Sequence, residues 1–364
     1  SSSSGGEIRI EVEDWARLLR SGNPEQRKLA AENLPEPPPP GAVLELIRAL
    51  EDVQIEVRVA AIYSLRNLGD RRAVATIRNA LKSPIPEIRE AAAWSLRDLA
   101  DQSVSDEVRA MLADDTAKVR VAAAWYVGNG SSAADVDALI TARNDNSFEV
   151  REAVAFSLGK TGYSRAFESV EEMLEDMVAA VRIAACTALG GAPINRYSAP
   201  LRRRLADPVT EVRSAAANAL IQMDDPAGSL ARDAMAGSTD ALVEIGLRRE
   251  ASLVPFLGAM LESEDASVRR ASAAALGVSG LPQAEQPLKE FGGNIDPRDR
   301  LAAASARGAL RDAGALTILV VQLWSLLTWP ITLLVIGLAG GAFAILKIDL
   351  SKPKSRSRRR SRRR

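Results

Sequence analysis

The sequence predicts an all-α solenoid of about ten helical hairpins, followed by one transmembrane helix. An arginine recurs every 31 residues, and leucines keep a fixed distance from it. These two observations indicate a stacked repeat array, in which each unit buries its apolar stripe against its neighbours. A third observation is a 34-residue stretch near the C-terminus that carries no charge. It is long enough for a membrane-spanning helix.

The repeat is centred on an arginine in the motif Val/Ile-Arg-x-Ala-Ala. Six consecutive units keep it, with Arg58, Arg89, Arg120, Arg151, Arg182 and Arg213. One step earlier lies Arg27, and one step later the motif decays to Val243 and Glu244. A shortened step restores it at Arg269, and a further 31 residues lead to Arg300. The solenoid is therefore predicted over residues 12–312, after a disordered segment at 1–11.

Each unit is predicted to form two helices joined by a turn. Residues 41–52 are an example of a first helix, and residues 87–99 are an example of a second helix. The first helix carries a leucine eight residues before the arginine, and the second carries the arginine motif. Seven residues after the arginine, the apolar stripe continues at Leu34, Leu65, Leu96, Val127, Leu158, Leu189, Leu220 and Leu276. The alanines of the motif let neighbouring helices approach closely. Asn, Asp, Ser, Gly and Pro between the helices supply caps and turns.

The second helices carry the clearest family signature. VREAVAFSLGKTG at 150–162 and VRRASAAALGVSG at 268–280 show the pattern V-R-x-x-A-x-x-A-L-G. This pattern resembles HEAT repeats of the phycobilin-lyase-like type. The resemblance implies HEAT-like hairpins over about residues 12–312. It implies little about function, because such repeats occur in chromophore lyases and far more often in adaptors and scaffolds.

An aspartate six residues before the arginine indicates a structural role for both residues. The aspartates are Asp52, Asp114, Asp145, Asp176 and Asp207, at the turn between the two helices. An arginine and an aspartate in fixed phase predict a ladder between adjacent layers, with each arginine reaching a carboxylate and turn carbonyls. We therefore do not count these arginines as a phosphate-binding site.

Four aromatic residues share one position, five residues after the arginine: Tyr63, Trp94, Trp125 and Phe156. We call this set the aromatic row. At 100° per residue this position lies away from the centre of the apolar stripe, so partial exposure is expected. The same position holds Thr187 and Asn218 in the next two units. The row is predicted to be a partner-binding strip, and the alternative is that the rings only cover gaps between layers.

Composition argues against a catalytic or metal site. The chain has no histidine, which removes the commonest general base and metal ligand. Its single cysteine, Cys186, excludes an intrachain disulfide and a cysteine-cluster metal site. The carboxylates are accounted for by caps and solvated helix faces, and no pair stands out as a general acid and base. We expect no enzyme activity, no metal and no cofactor.

The uncharged stretch at 313–346 predicts the membrane segment. The transmembrane helix is placed at 325–346, after an interfacial connector at 313–324. Trp324 and Trp329 would mark one membrane interface and Lys347 the other. A re-entrant hairpin turning near Trp329, or a buried cap of the solenoid, are alternatives. The predicted helix-packing face within the membrane consists of Gly337, Gly340 and Gly341.

A polybasic, disordered tail is predicted at 347–364. It holds ten basic residues against one acid, while the rest of the chain is mildly acidic. The residues predicted to bind anionic lipid or an acidic partner are Arg356, Arg358, Arg359, Arg360, Arg362, Arg363 and Arg364. Nucleic-acid binding is not expected of the main body. The positive-inside rule places the tail on the cytoplasmic, stromal or matrix side and the repeats opposite, as a single-pass protein of a bacterial inner or organellar membrane.

Three functions fit these features. The first is a non-catalytic, membrane-anchored scaffold or assembly subunit that binds a protein partner, a subunit of a membrane complex. The second is a chromophore lyase-like protein or pigment-handling chaperone, suggested by the repeat subtype. The third is a polybasic tether to a membrane or nucleic acid. We favour the first, because the array is regular and no catalytic constellation accompanies it.

Overall fold

The computed structural model describes residues 12–100, 102–130, 132–193 and 195–311. In these ranges the chain forms twenty α-helices and six short 3-10 turns, with no strand. The helices are α1 (Val12–Ser21), α2 (Pro24–Glu32), α3 (Ala42–Ala49), α4 (Ile55–Leu68), α5 (Val74–Ala80), α6 (Pro86–Asp98), α7 (Ser105–Ala110), α8 (Ala117–Val127), α9 (Ala133–Ala142), α10 (Phe148–Thr161), α11 (Ser164–Met173), α12 (Ala179–Gly190), α13 (Ser198–Arg204), α14 (Thr210–Gln222), α15 (Pro226–Met235), α16 (Thr239–Arg248), α17 (Val254–Met260), α18 (Ala266–Ser279), α19 (Glu285–Phe291) and α20 (Pro297–Arg311).

Consecutive helices pair into ten hairpins, and the even-numbered helices stack on one another. Packing runs from α2 through α4, α6, α8, α10 and α12 to α14, and again from α16 through α18 to α20. Between α14 and α16 the stack passes through α15, which contacts both. The predicted all-α solenoid of about ten hairpins is confirmed for the described residues.

Local sequence signals set the ends of the helices. In α18 the Asp265 side chain accepts a hydrogen bond from the Ser267 amide and caps the N-terminus. The helix ends at Gly280, whose φ of 63° lies in the left-handed region that favours glycine. Ser132 and Asp135 form a reciprocal capping box at the start of α9.

The core lies between the two helix layers and follows the predicted stripe. The leucines and valine seven residues after the arginine are buried from Leu65 to Leu220 and again at Leu276, whereas Leu34 is half-buried. Most alanines of the motif are also buried, with Ala122 and Ala123 fully so, whereas Ala215 is half-buried. Their small side chains leave the room in which neighbouring even-numbered helices pack.

The predicted ladder is present at five junctions, where the arginine pairs with the aspartate 25 residues further on. Arg120 Nε and Nη2 donate to the two carboxylate oxygens of Asp145, both at 2.7 Å. Its Nη1 donates to the carbonyl oxygen of Asp114 at 2.8 Å. The same two-pronged pair recurs as Arg27–Asp52, Arg89–Asp114, Arg151–Asp176 and Arg182–Asp207. We call these pairs the Arg–Asp ladder.

Each ladder aspartate also shapes its own turn. The carboxylate of Asp145 accepts the Ser147 amide at 2.9 Å, and its carbonyl oxygen accepts Arg151 Nη1 at 2.8 Å. Asp114, Asp176 and Asp207 make the same three contacts. One residue thus binds the arginine of the preceding layer, its own turn and its own arginine.

At two junctions between layers, a different ion pair replaces the regular Arg–Asp pair. Arg269 pairs with Asp299, 30 residues on and fully buried, because Asn294 occupies the usual aspartate position. At the shortened eighth hairpin, Arg202 of α13 reaches both Asp225 and Glu250. A third junction, between α4 and α6, has Ser83 at the aspartate position.

The predicted localisation as an integral single-pass membrane protein is wrong. None of the helices in the described ranges is long and apolar enough to cross a membrane. The longest, α20, has 15 residues, which is about 22 Å of helix against a hydrocarbon core of about 30 Å. The segment that carried the prediction, residues 325–346, lies outside the described residues.

The contacts divide the chain into two units, Ser1–Ala313 and Gly314–Arg364. All twenty helices belong to the first unit. The connector at 313–324, the tail at 347–364 and the segment at 1–11 lie outside the described residues, so the domain boundaries stay predictions.

Removing one ladder carboxylate should loosen two layers at once. Asp145→Ala takes the acceptor from Arg120, and we expect it to lower the free energy of unfolding by about 2 kcal/mol, as for hydrogen bonds to charged groups. Thermal or urea unfolding measures the change. Asp115→Ala is the matched control, because that side chain is exposed and forms no ion pair with a described residue. Equal stability of the two variants would contradict the ladder.

The ladder should also make stability depend on acid. Burial by itself would raise the pKa of Asp145, but the hydrogen bonds from Arg120 and the Ser147 amide and the nearby arginine charges hold it below its usual value. A lowered pKa stabilises the fold above the usual aspartate pKa of about 4, and this contribution is lost as pH falls through the folded value. Urea unfolding between pH 7 and pH 2 should therefore show stability falling below about pH 4. A flat profile would contradict this expectation.

Candidate functional site

The aromatic row lies on four successive even-numbered helices: Tyr63 on α4, Trp94 on α6, Trp125 on α8 and Phe156 on α10. All four side chains are half-buried, as their position predicted. On each helix the residues directly before and after the ring are buried. Each ring therefore rests with one edge on the core and leaves the other accessible to a partner.

The structure brings the rings together in two pairs. Trp125 and Phe156 stack, with centroids 5.8 Å apart and planes inclined by 19°. Tyr63 and Trp94 line one cleft of about 420 Å³, together with Arg66, Arg97 and Asp98. In the next two units Thr187 and Asn218 occupy the same position and are exposed, so the row ends at α10.

Three cations lie over the faces of the rings. The Arg66 guanidinium is 5.0 Å from the Tyr63 centroid, the Arg97 guanidinium 4.5 Å from Trp94, and Lys160 Nζ 4.8 Å from Trp125. Such cation–π contacts are worth about 0.5–1 kcal/mol at exposed sites. Sequence reasoning missed these cations. The spacing of three residues along one helix would have found Arg66 and Arg97, but Lys160 reaches Trp125 from the next hairpin.

Carboxylates lie on the other side of the row, toward the helix N-termini. Glutamates one residue after or two residues before the repeat arginine are exposed or half-buried: Glu56, Glu87, Glu90, Glu149 and Glu152. A second cleft, of about 490 Å³, has Ile55, Val59 and Tyr63 on its wall, with Glu56 and Glu87 among its polar lining residues. Glutamates thus lie mostly toward the helix N-termini and cations toward the C-termini, although the exposed Lys118 of α8 interrupts the glutamates.

The Tyr63 hydroxyl stays protonated at neutral pH. Burial raises the pKa of Tyr63, the Glu90 carboxylate raises it further, and the Arg66 charge opposes both. A protonated phenol can donate a hydrogen bond as well as offer its ring. It suits recognition of a partner better than proton transfer.

The described residues contain neither a cluster of metal ligands nor a reactive thiol. No group of three or more Asp, Glu or Cys side chains in this part of the chain is placed to hold a metal ion. The Cys186 thiol is fully buried, and burial raises its pKa to about 12. A thiol with that pKa is inert as a nucleophile at neutral pH.

The remaining predicted site residues lie outside the described residues. They are Trp324, Trp329 and Lys347, the glycines Gly337, Gly340 and Gly341, and the tail residues Arg356, Arg358, Arg359, Arg360, Arg362, Arg363 and Arg364. The roles assigned to them stay predictions.

The hairpins and their stacking define a helical-repeat protein. A family model described as HEAT repeats matches residues 43–128, 105–190 and 170–245. Together these segments cover more than half of the chain, and the chain therefore belongs to the HEAT-repeat family. The phycobilin-lyase-like subtype stays a prediction.

Several solved structures are similar to the chain at low identity. The complex of CpcE and CpcF of phycocyanin lyase from Nostoc is 21% identical, with a TM-score of 0.35 over 86% of this chain and 98% of that chain. Human deoxyhypusine hydroxylase is 18% identical, with a TM-score of 0.31 over 83% and 96%. Kap95p, solved with RanGDP, is 17% identical, with a TM-score of 0.48 over 83% of this chain and 45% of that chain. No curated protein matches the chain.

These likenesses do not identify a function. All three identities are low and all three TM-scores are below 0.5. The case for a function therefore rests on the residues of this chain.

A close helix approach should be needed to hold the Trp125–Phe156 stack. A Cβ added at Gly128, at the end of α8, would lie 2.5 Å from Ser157 Cβ and 2.8 Å from its Cα on α10. Gly128→Ala should therefore push the two helices apart and cost about 1–3 kcal/mol in unfolding free energy. Gly258→Ala is the control, since its nearest neighbour would be 3.6 Å away. A fold equally stable with either alanine would show that the approach is not constraining.

Proposed function

We propose that this HEAT-repeat protein is a non-catalytic scaffold that binds a protein partner along the aromatic row. The supporting observation is the row itself. It consists of four half-buried rings, each five residues after the repeat arginine, on four successive even-numbered helices. Only 4% of the chain is aromatic, so four rings on one face form a concentration that the repeat does not require. Aromatic and arginine side chains are the residues that most often dominate protein–protein binding energy.

The charges beside the row favour a polypeptide partner. The row has carboxylates on one side and Arg66, Arg97 and Lys160 on the other. Lys160 forms no ion pair with a described residue, whereas Arg66 and Arg97 share Asp98. A partner with apolar side chains flanked by both signs of charge would match this face, and charge complementarity would fix its orientation.

The clefts along the row are shallow features of a surface, and they suit side chains of a partner. Those on either side of Tyr63 measure about 420 and 490 Å³. A third cleft, of about 510 Å³, is lined by Arg97 and Lys160, the cations over Trp94 and Trp125, and by none of the four rings. Successive clefts of this size can each receive one or two side chains of an extended segment. We therefore propose an extended peptide or a protein edge as the bound element.

Removing the two tryptophans should abolish partner binding and keep the fold. We expect Trp94→Ala combined with Trp125→Ala to leave the helical content unchanged, because both side chains are half-exposed. A photo-crosslinking residue placed at position 67, which is exposed beside the row, should capture the partner in the wild-type background and not in the double variant. Crosslinking and mass spectrometry measure the yield.

The matched control uses the same helix position outside the row. Thr187→Ala combined with Asn218→Ala changes exposed residues on α12 and α14 and should leave the crosslink intact. A crosslink that survives loss of both tryptophans would reject the row as the binding surface. Loss of the crosslink in the control as well would reject a role specific to the row.

A further inference from the structure

The Arg–Asp ladder has a gap between α4 and α6. Ser83 stands where the equivalent turns have Asp52, Asp114 and Asp145. Ser83 Oγ accepts the Ile85 amide at 3.2 Å, as each ladder carboxylate accepts the amide two residues further on. The Ser83 carbonyl oxygen accepts Arg89 Nη1 at 2.8 Å, again as in the regular turns. The turn is therefore built like the others and lacks only the carboxylate.

The arginine that faces this gap is Arg58. The regular arginines reach a carboxylate 25 residues on, which for Arg58 is position 83. Its Nε is buried and finds no hydrogen-bond acceptor among the described residues. A buried guanidinium nitrogen without an acceptor is costly, and such groups in native proteins call for an explanation.

The other gap shows that the repeat does not require an unpaired arginine. Arg213 faces Ser238, and its Nε is also buried without an acceptor. Its Nη1, however, donates to the Asp207 and Pro208 carbonyls and its Nη2 to the Thr210 hydroxyl. No such bond is made by Arg58 within the described residues. Both arginines lack a carboxylate at the usual position, but Arg58 also lacks the substitute hydrogen bonds that Arg213 makes.

We propose that Ser83 is a phosphorylation site whose phosphate completes the missing pair with Arg58. In this step Ser83 Oγ attacks the γ-phosphorus of a nucleoside triphosphate held by a serine kinase. The new O–P bond forms, the bond to the nucleoside diphosphate breaks, and the hydroxyl proton passes to a base of the kinase. The product carries about −1.5 to −2 charges at neutral pH, and its oxygens can accept from the guanidinium fork.

The surroundings of Ser83 fit a phosphoacceptor. Ser83 is partly exposed in a turn, and Pro84 after it is exposed. Ser-Pro is the pair that proline-directed kinases select. The 13-residue helix α6 begins three residues later, and its N-terminus favours a negative charge. Lys82 and Arg89 add positive charge, whereas Glu87 in the first turn of α6 opposes it.

The phosphate would join the two helices that carry the first half of the aromatic row. Tyr63 on α4 and Trp94 on α6 line one cleft, and a pair between Arg58 and phosphoserine 83 would fix the spacing of these helices. Phosphorylation would thereby pre-organise the row for its partner. This consequence rests on the proposed function, whereas the phosphate–arginine pair does not.

The test compares the full chain with and without phosphoserine encoded at position 83. Phosphoserine, and also Ser83→Asp, should raise the unfolding temperature by about 2–4 °C and slow hydrogen exchange over residues 55–98. Both effects should vanish in an Arg58→Gln background. Ser238→Asp is the matched control and should give no gain. No shift, or a shift that persists in Arg58→Gln, would overturn the pair.

Use of the site is tested on protein isolated from its own cells. Phosphopeptide mapping should find phosphate on the peptide that contains Ser83, and phosphatase treatment should return the unfolding temperature to that of the unmodified chain. Unmodified Ser83 under all growth conditions tested would overturn the modification. Because these readouts do not involve a partner, they fail independently of the proposed binding surface.

Discussion

The two-pronged pair between an arginine and the aspartate of the next layer is the constraint on which this solenoid depends. Asp145 shows why, since it binds Arg120 through its carboxylate, Arg151 through its carbonyl oxygen and the Ser147 amide of its own turn. An alanine-rich interface gives close packing but little directional information. The ladder supplies direction, because a guanidinium and a carboxylate meet well in one geometry only. It therefore keeps successive hairpins in the same phase.

Because the hairpins stack in a constant phase, residues at the same position of successive repeats lie on the same face of the solenoid. Because every second helix presents the same face, residues at one position line up across layers. Tyr63, Trp94, Trp125 and Phe156 thus form one row, with glutamates mostly on one side and three cations on the other. The ladder also explains why its own charges are not a site. The ladder arginines and aspartates pair with each other, whereas Lys160 and the glutamates beside the row can still pair with charges of a partner.

At a few junctions the arginine does not pair with an aspartate 25 residues further on, and there the stacking departs from a uniform repeat. Arg269 turns to the buried Asp299, and Arg202 spans to Asp225 and Glu250 around the shortened eighth hairpin. At the first, a new carboxylate replaces the lost one; at the second, Arg202 makes the carboxylate pairs, and Arg213 Nε has no acceptor among the described residues. Between α4 and α6 no replacement is found among the described residues, and Arg58 Nε stays without an acceptor. This junction lies between α4 and α6, the two helices that carry the first two rings of the aromatic row.

The sequence by itself determined the repeat, its length, the arginine–aspartate pairs and the phase of the aromatic row. These follow from helical periodicity and a constant 31-residue step, which are local properties that can be counted along a chain. Only the tertiary structure decided which carboxylate Arg269 uses, which cation lies over Trp125, and that Arg58 Nε finds no acceptor among the described residues. Each of these depends on distances between layers. Where a hairpin is shortened or a turn residue is replaced, the constant spacing along the chain no longer predicts which side chains meet. The localisation inferred from the apolar stretch was wrong, because no helix of the described residues is long and apolar enough to cross a membrane.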